Sequence, residues 1–266
     1  MLEDIIYEYY ESVDSTNDRV KERAHQGQCQ GLVISAGNQT AGKGRIGRKW
    51  QSPSGDTIST SILLRPEEIA VENISTITII AAMAVRSALE DTCGLCGLIK
   101  WPNDIVLDGK KVCGILTEME MRMGRVWYVV CGVGVNIHNR NFPDDIAYKA
   151  TSVDLELEKL RDSGAESRDI LRGSRSQITH AIWESFREYY NIFIKTQDMT
   201  GLRDEYEKYL ANKGKTVRIE DPAGQYLAKA VGIDNSGRLV IDVDGQTKYI
   251  STGEVSVRGI YGYVDN

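Results

Sequence analysis

The sequence predicts an α+β protein, with a mixed sheet flanked by helices over residues 1–212 and a small β-barrel over residues 213–266. Three observations predict it. Strand-like runs alternate with helical patterns up to Leu210, where helical periodicity stops. Beyond that point turn signals recur about every ten residues, the spacing of a small barrel or sandwich. A chain of 266 residues with 41% hydrophobic content can build one large core, or a large and a small one.

At the N-terminus, Ile5-Ile6-Tyr7 with Tyr9 form a short strand-like run. Asp14-Ser15-Thr16-Asn17 then offers side-chain oxygens suited to a helix N-terminus, which predicts a helix to about His25, closed by Gly27. Gly31–Ala36 has the pattern of a buried strand, and Thr57–Leu64 alternates apolar with polar residues. Ile74–Asp91 carries the long apolar periodicity of a core helix. Ile105-Val106-Leu107, the turn Asp108-Gly109 and the run Val112–Met119 make a hairpin, because Asp-Gly favours the type I′ turn. Val126–Ile137 is a further strand. Helical patterns resume at Ser152–Leu160, Asp169–Phe193 and Leu202–Leu210, and Asn212-Lys213-Gly214 has the composition of a short linker. In the tail, turns at Asp221-Pro222-Ala223-Gly224, Asp234-Asn235-Ser236-Gly237 and Asp244-Gly245 separate the runs Thr216–Ile219, Leu227–Ile233, Leu239–Val243 and Thr247–Ile250.

A net charge of −6 argues against a protein whose main task is to hold duplex nucleic acid, so any basic site is local. No apolar stretch approaches the ~18 residues of a membrane span. The acidic start MLEDIIYEYYE lacks the basic character of a signal or transit peptide, and a cytoplasmic location is expected. Five scattered cysteines suit a reducing compartment. Cys93 and Cys96 have the C-x-x-C spacing of a zinc half-site or a redox pair. His25, His138 and His180 add no metal-ligand pattern, so thiols packed at a helix end are the simpler reading and no resident metal is expected.

The most unusual segment runs from Gln39 to Trp50, with four cations and three glycines in the eight residues from Gly42 to Lys49. It contains G-x-G-x-x-G, but Arg48-Lys49-Trp50-Gln51-Ser52-Pro53 follows instead of a helix, and the P-loop spacing does not fit. What remains is a loop whose backbone can approach a ligand and whose cations can pair with phosphate or carboxylate, or else a solvated basic loop. A cation about 4 Å from a phosphate is worth on the order of 4 kcal/mol at an effective dielectric near 20. Ordering the loop costs roughly 1–2 kcal/mol per residue, which is comparable, so it is expected to be mobile alone and folded on a ligand.

A second stretch is Lys100-Trp101-Pro102-Asn103-Asp104, followed by Lys110-Lys111-Val112-Cys113-Gly114-Ile115-Leu116. Lys111 enters an apolar strand, where partial desolvation strengthens its action on an anion, whereas Lys110 beside the turn faces solvent. Asn103 and Asp104 serve either a ligand or an Asx-type turn. A third stretch, Gly132-Val133-Gly134-Val135-Asn136, marks either a site or close backbone packing.

Ser15-Thr16-Asn17, Gln39 with Gly42-Lys43-Gly44-Arg45-Ile46-Gly47-Arg48-Lys49-Trp50, Lys100 to Asp104, Lys111 with Gly114-Ile115-Leu116, and Gly132 to Asn136 together resemble the biotin protein ligase family, in its motif order. That resemblance implies a class II synthetase-like catalytic domain with a C-terminal SH3-like barrel. It implies an enzyme that makes biotinyl-5′-AMP from biotin and Mg-ATP, then transfers biotin to one lysine of a biotin carboxyl carrier domain of a carboxylase. By position it implies that Ser15, Thr16, Asn17 and Gln39 meet the ring end of biotin, and that Lys43, Gly44 and Arg45 close over biotin and the adenylate. Lys111 would hold the biotin carboxylate and the α-phosphate, and Gly114 would leave room for the biotin chain. Arg48, Trp50, Lys100, Asn103, Asp104 and Asn136 would line the ATP side. Lys111 and Arg45 are then the catalytic cations, offsetting the charge that builds as a carboxylate meets an anionic phosphate. Mg²⁺ enters with ATP, near Asp104 or Asn103, and Asp104 is the candidate base for transfer to lysine. No tightly bound prosthetic group is expected.

Lys43 departs from the family's commoner Arg, and Lys cannot make the same planar bidentate pair. The matching pattern begins near residue 5, which leaves no room ahead of it for the DNA-binding domain some members carry. No DNA or membrane partner is therefore expected, while a homodimer through sheet edges is compatible with the pattern. Two other readings compete. A lipoate or octanoate ligase shares the architecture but should carry an R-R-x-x-G-G-G stretch, which is not present. An RNA-binding module using Gly42–Trp50, with Trp50 stacked on a base, is opposed by the acidic remainder.

Overall fold

The computed structural model describes residues 1–50, 54–164, 172–221, 224–253, 256–259 and 263–264. Gln51-Ser52-Pro53, the expected helix start at Asp169 and the Pro222-Ala223 turn lie outside the described residues. Seven strands form a mixed sheet: β1 (Ile6–Tyr10), β2 (Leu32–Ala36), β3 (Thr57–Leu64), β4 (Leu98–Lys100), β5 (Asp104–Leu107), β6 (Lys110–Arg122) and β7 (Arg125–Asn136). Their spatial order is β1-β2-β3-β7-β6-β5-β4, with β1 and β2 parallel and all other neighbours antiparallel. Asp108 and Gly109 take φ values of 48° and 70°, as the Asp-Gly hairpin turn between β5 and β6 demands.

The helices are α1 (Thr16–His25), α2 (Thr76–Cys93), α3 (Asp144–Ala147), α4 (Val153–Asp162), α5 (Arg175–Thr196) and α6 (Arg203–Lys208). Val20 and Ala24 of α1 pack with Leu32, Ile34, Leu63 and Val130 on one face of the sheet, while α2 and α5 build the main core on the other. This two-sided cover explains β3. Its sequence alternates as a half-exposed strand would, yet all eight residues are buried. Ile58, Ile62 and Leu64 pack into the main core, and Thr60 Oγ1 accepts from Trp183 Nε1 of α5 at 2.9 Å. Ser61 and Leu63 face α1 instead, so the polar side of β3 meets a protein wall and not solvent.

The long helix α5 begins at Arg175, fixed by a capping box in which Ser174 and Gln177 satisfy each other's backbone N–H groups. The short elements β4 and α3 escape sequence periodicity because neither completes enough residues to display one. No helix among the described residues is long and apolar enough to cross a membrane.

Strands β8 (Thr216–Asp221), β9 (Gly224–Ile233), β10 (Leu239–Val243), β11 (Gln246–Ile250) and β12 (Ser256–Gly259) form a five-stranded antiparallel sheet, ordered β11-β10-β9-β8-β12 and consistent with an SH3-like unit. Asn212-Lys213-Gly214 is not a loose tether as its composition suggests. Asn212 is buried and its Oδ1 accepts from Trp101 N at 3.2 Å, while Gly214 N donates to Ala230 O at 2.8 Å. Backbone caught between two packed sheets has to pair its polar groups locally. Val217, Ile219, Ala230 and Ile241 belong to the same apolar core as α2, so among the described residues the second sheet has no separate core.

Candidate active site

A cleft opens on the α1 face of the seven-stranded sheet, and β6 and β7 form its floor. It holds about 470 Å³ of space, part of it open solvent at its mouth. Gly114 and Gly134 stand opposite each other in register there. A Cβ on Gly134 would fall 2.5 Å from Trp50 Cε2, and one on Gly132 would fall 2.1 Å from Asn17 Oδ1. These glycines are therefore cut away to admit site side chains, beyond simple backbone packing.

One end of the cleft is polar. Ser15 stands at the N-cap of α1, and Thr16 and Asn17 follow inside it. Thr16 N and Oγ1 donate to Gln39 Oε1 at 2.8 and 3.2 Å. Ser61 Oγ, on β3, lies 2.7 Å from Thr16 Oγ1 and donates to Asn17 Oδ1 at 2.6 Å. Asn17 Nδ2 donates to Glu118 Oε2 at 2.8 Å. Ser61 and Glu118 were not among the sequence candidates. Ser61 belongs to the polar phase of β3, which reads the same toward solvent as toward α1, and nothing local signals Glu118.

The basic loop is a small hairpin. Trp50 N donates to Gly42 O at 3.0 Å and Gly44 N to Arg48 O at 2.7 Å, leaving Arg45-Ile46-Gly47 as the tip. Ile46 holds φ at 56°, an unfavourable left-handed value for a β-branched residue. Lys43 Nζ pairs with Asp18 at 2.7 Å, and that hydrogen bond raises its pKa. Arg45 reaches inward, Nη1 donating to Asn103 Oδ1 at 2.9 Å and Nη2 to Gly253 O at 2.7 Å. Its burial pulls the guanidinium pKa below the ordinary value, with the charge of Asp104 opposing. Trp50 is turned inward over Gly114 and Gly134, and its buried Nε1–H has no hydrogen-bond partner among the described residues. That orientation removes it from any stacking arm aimed at solvent.

Lys111 owes its direction to a bulge. Ile105 pairs with Cys113 but Val106 pairs with Lys111, so the register shifts between them. Val112 and Cys113 both sink into the core, and Lys111 returns to the cleft side, where a Gly114 Cβ would lie 2.9 Å from its Nζ. The Lys111 backbone is clamped by Lys149 O at 2.8 Å and Thr151 N at 2.9 Å. Its ammonium forms an ion pair with Asp104 Oδ1 at 2.5 Å. The other Asp104 oxygen lies 3.8 Å from Lys100 Nζ and accepts from the Tyr263 hydroxyl. Burial alone would push the Asp104 carboxyl up, but Lys111 and Lys100, helped by Tyr263, hold it below the usual carboxylate range. Burial pushes Lys100 down to about 8, against the pull of Asp104.

These contacts correct two expectations. Asp104 suits neither a Mg²⁺ ligand nor a base, because both oxygens are engaged by ammonium and phenol groups and its proton affinity is lowered. Asn103 does not satisfy its own turn, since its Nδ2 donates to Ile115 O at 3.0 Å while its Oδ1 takes Arg45. The cleft brings together Ser15, Thr16, Asn17, Gln39, Lys43, Gly44, Arg45, Trp50, Asn103, Lys111 and Gly114. It does not gather the remaining candidates. Lys100 and Asp104 are buried behind it, Asn136 is buried with Nδ2 donating to Thr151 O at 3.0 Å, and Arg48 lies exposed on an outer groove. Among the described residues no group of three or more His, Cys, Asp or Glu side chains could hold a metal ion, and Cys93 and Cys96 are free thiols, one buried and one exposed.

Comparison with known proteins bears on the family and the fold. Residues 9–136 match the biotin/lipoate A/B protein ligase family, and residues 214–258 match the biotin protein ligase C terminal domain. Fold, cleft and these matches define a ligase enzyme. The biotin–(acetyl-CoA-carboxylase) ligase of Paracoccus denitrificans is 39% identical over 251 residues, covering 92% of this chain and 98% of that protein. The bifunctional ligase/repressor BirA of Bacillus subtilis is 32% identical over 251 residues, covering 94% of this chain and 73% of that one. The chain belongs to the biotin protein ligase family. A solved biotin protein ligase from Aquifex aeolicus, in complex with biotin and ATP, matches with a TM-score of 0.75 at 25% identity, covering 95% of this chain and 98% of that one.

Proposed function

We propose that this chain activates biotin with ATP as biotinyl-5′-AMP and transfers the biotinyl group to one lysine of a biotin carboxyl carrier domain. In the first step a biotin carboxylate oxygen bonds to the α-phosphorus and pyrophosphate leaves. In the second the acceptor amine bonds to the acyl carbon, AMP leaves, and the amine gives up a proton. The observation that carries this reading is the convergence of Arg45, from the loop, and Lys111, from the bulged strand, on one cleft floored by glycines. Two anions meet in the first step, and preorganised cations lower the cost of the charge they build together.

In this assignment Ser15, Thr16, Asn17 and Gln39 take the ureido end of biotin, and Gly114 admits its chain. Lys111 takes the carboxylate and the α-phosphate, Lys43, Gly44 and Arg45 form the cover, and Trp50 and Asn103 face the nucleotide, with Arg48 on the outer groove of the same loop. Lys100, Asp104 and Asn136 act from behind, by steadying Lys111 and its neighbours. Mg²⁺ enters as part of the ATP substrate. The five cysteines are all unpaired, which suits the cytoplasm as the place of action.

The lipoate reading shares the architecture. The polar group made by Thr16, Asn17, Gln39 and Ser61 favours biotin, whose ureido ring offers N–H donors and a carbonyl where a dithiolane offers none. ATP–pyrophosphate exchange with purified protein decides between them: exchange is expected with biotin and not with lipoate, and the opposite result overturns the assignment.

A further inference from the structure

The C-terminal five-stranded sheet reaches the cleft at two points. Arg45 Nη2 donates to Gly253 O at 2.7 Å, from the connection after β11. Beyond β12, the Tyr263 hydroxyl donates to Asp104 Oδ2, and its ring covers Lys100, whose Nζ lies 4.2 Å from the ring centroid. Asp104 in turn places Oδ1 2.5 Å from Lys111 Nζ. The buried carboxylate therefore stands between a residue near the C-terminus and the cation that faces the cleft.

We propose that Tyr263 is a positioning residue for the ligase reaction, holding Asp104 so that only one carboxylate oxygen restrains the Lys111 ammonium. This rests on the role given to Lys111 above. A carboxylate with both oxygens unsatisfied would rotate to bind its nearest ammonium through both, drawing Lys111 away from a ligand in the cleft. A phenol on the second oxygen prevents that and still leaves the first to orient the amine. The phenol can do so at any working pH, because burial, followed by the charge of Asp104, pushes its pKa well up and keeps the donor proton in place. The charged groups facing this centre are Lys111 on β6, Lys100 on β4, Arg45 in the loop, Arg258 on β12 and Arg48. All are cations; Arg258 has its own ion pair with Glu220 at 2.9 Å, and Asp104 is the anion paired with Lys111 and Lys100.

The test uses the full chain and the variant Tyr263→Phe, which keeps the ring over Lys100 and removes only the donor. Biotin-dependent pyrophosphate exchange, its pH profile and the melting temperature are measured together. Misplacement of a reacting cation is expected to lower kcat on the order of ten- to a hundredfold, more than it raises the KM for biotin. Loss of the hydroxyl removes one group that holds the Asp104 proton affinity down, so the acid limb of the profile moves to higher pH. Wild-type kcat with an unmoved acid limb overturns the proposal, and so does a lower melting temperature accompanied by wild-type kcat and pH profile, which assigns Tyr263 to packing alone. Tyr263→Ala, which also strips the ring from Lys100, is expected to be slower still and less stable; wild-type kcat in that variant likewise overturns the proposal. The unaltered chain and Lys111→Ala separate the readings. No biotin-dependent exchange in the unaltered chain removes the proposed function itself, normal exchange in Lys111→Ala removes the role of Lys111 on which this proposal rests, and loss of exchange in Lys111→Ala with normal exchange in Tyr263→Phe removes only the role of Tyr263.

Discussion

Gly114 on β6 and Gly134 on β7 pair directly across the strands, and the Trp50 ring rests over both. The hairpin loop can seat its aromatic end on the sheet only because neither position carries a Cβ. Gly134→Ala is expected to push Trp50 off the floor and weaken biotin binding while the chain still folds, since the loop can shift where a core cannot. Isothermal titration with biotin checks it, and wild-type affinity would contradict the seating.

Gly132→Ala should act differently, because the intruding methyl meets Asn17 Oδ1 inside a buried network. Overpacking of this kind costs about 1–3 kcal/mol. A urea melt with an unchanged midpoint would show that α1 moves freely, contrary to the packing of Val20 and Ala24.

Lys111→Ala is expected to lower biotin-dependent pyrophosphate exchange on the order of a hundredfold or more, the scale of losing one preorganised charge at a reacting centre. Folding should persist, since Lys111 is only partly buried and its backbone clamps remain. The check is exchange rate alongside circular dichroism.

Arg45→Gly removes both the contact to Asn103 and the contact to Gly253 that hold the loop tip inward. We expect biotinyl-AMP to escape and label lysines on bystander proteins. Mass spectrometry of a mixture containing carrier and albumin reads the outcome; label confined to the carrier would falsify it.

Asp104→Asn leaves Lys100 charged and buried without its counter-ion, a loss of about 3–5 kcal/mol by analogy with broken buried pairs. The pH dependence has a definite sign. Lys100 titrates at about 8 in the folded chain against an ordinary 10.5, so between those values the unfolded chain binds the proton the folded one has released, and stability rises with pH. The penalty of the charged ammonium is complete below pH 8. The destabilisation by Asp104→Asn should therefore be larger at pH 7 than at pH 9.5, where folded Lys100 is mostly neutral. Equal losses at both pH values in chemical denaturation would contradict this.

Much of the site was legible in the linear order of residues. Thr16, Gln39, Arg45, Lys111 and Gly114 sit in short motifs whose residue types state their chemistry, and the Asp-Gly turn states the hairpin that carries Lys111. The roles of Lys100, Asp104 and Asn136 were less legible, because being behind a cleft or in it is a matter of depth, which a motif does not encode. Ser61 and Glu118 were missed since a serine or glutamate in a strand looks the same whether it faces water or α1.

By itself, the sequence determined the strands and helices with strong periodicity, the glycine-rich basic loop, and the two cations, Arg45 and Lys111, that line one cleft. Tertiary structure alone decided that Lys111 faces the cleft, because the bulge at Val112 inverts the simple alternation of β6. It also decided that Tyr263 meets Asp104 across 159 residues of chain. Periodicity reports which face a side chain takes in an ideal element. Bulges, and contacts between distant segments, depend on how packed layers share a core, and that information exists only when the chain is folded.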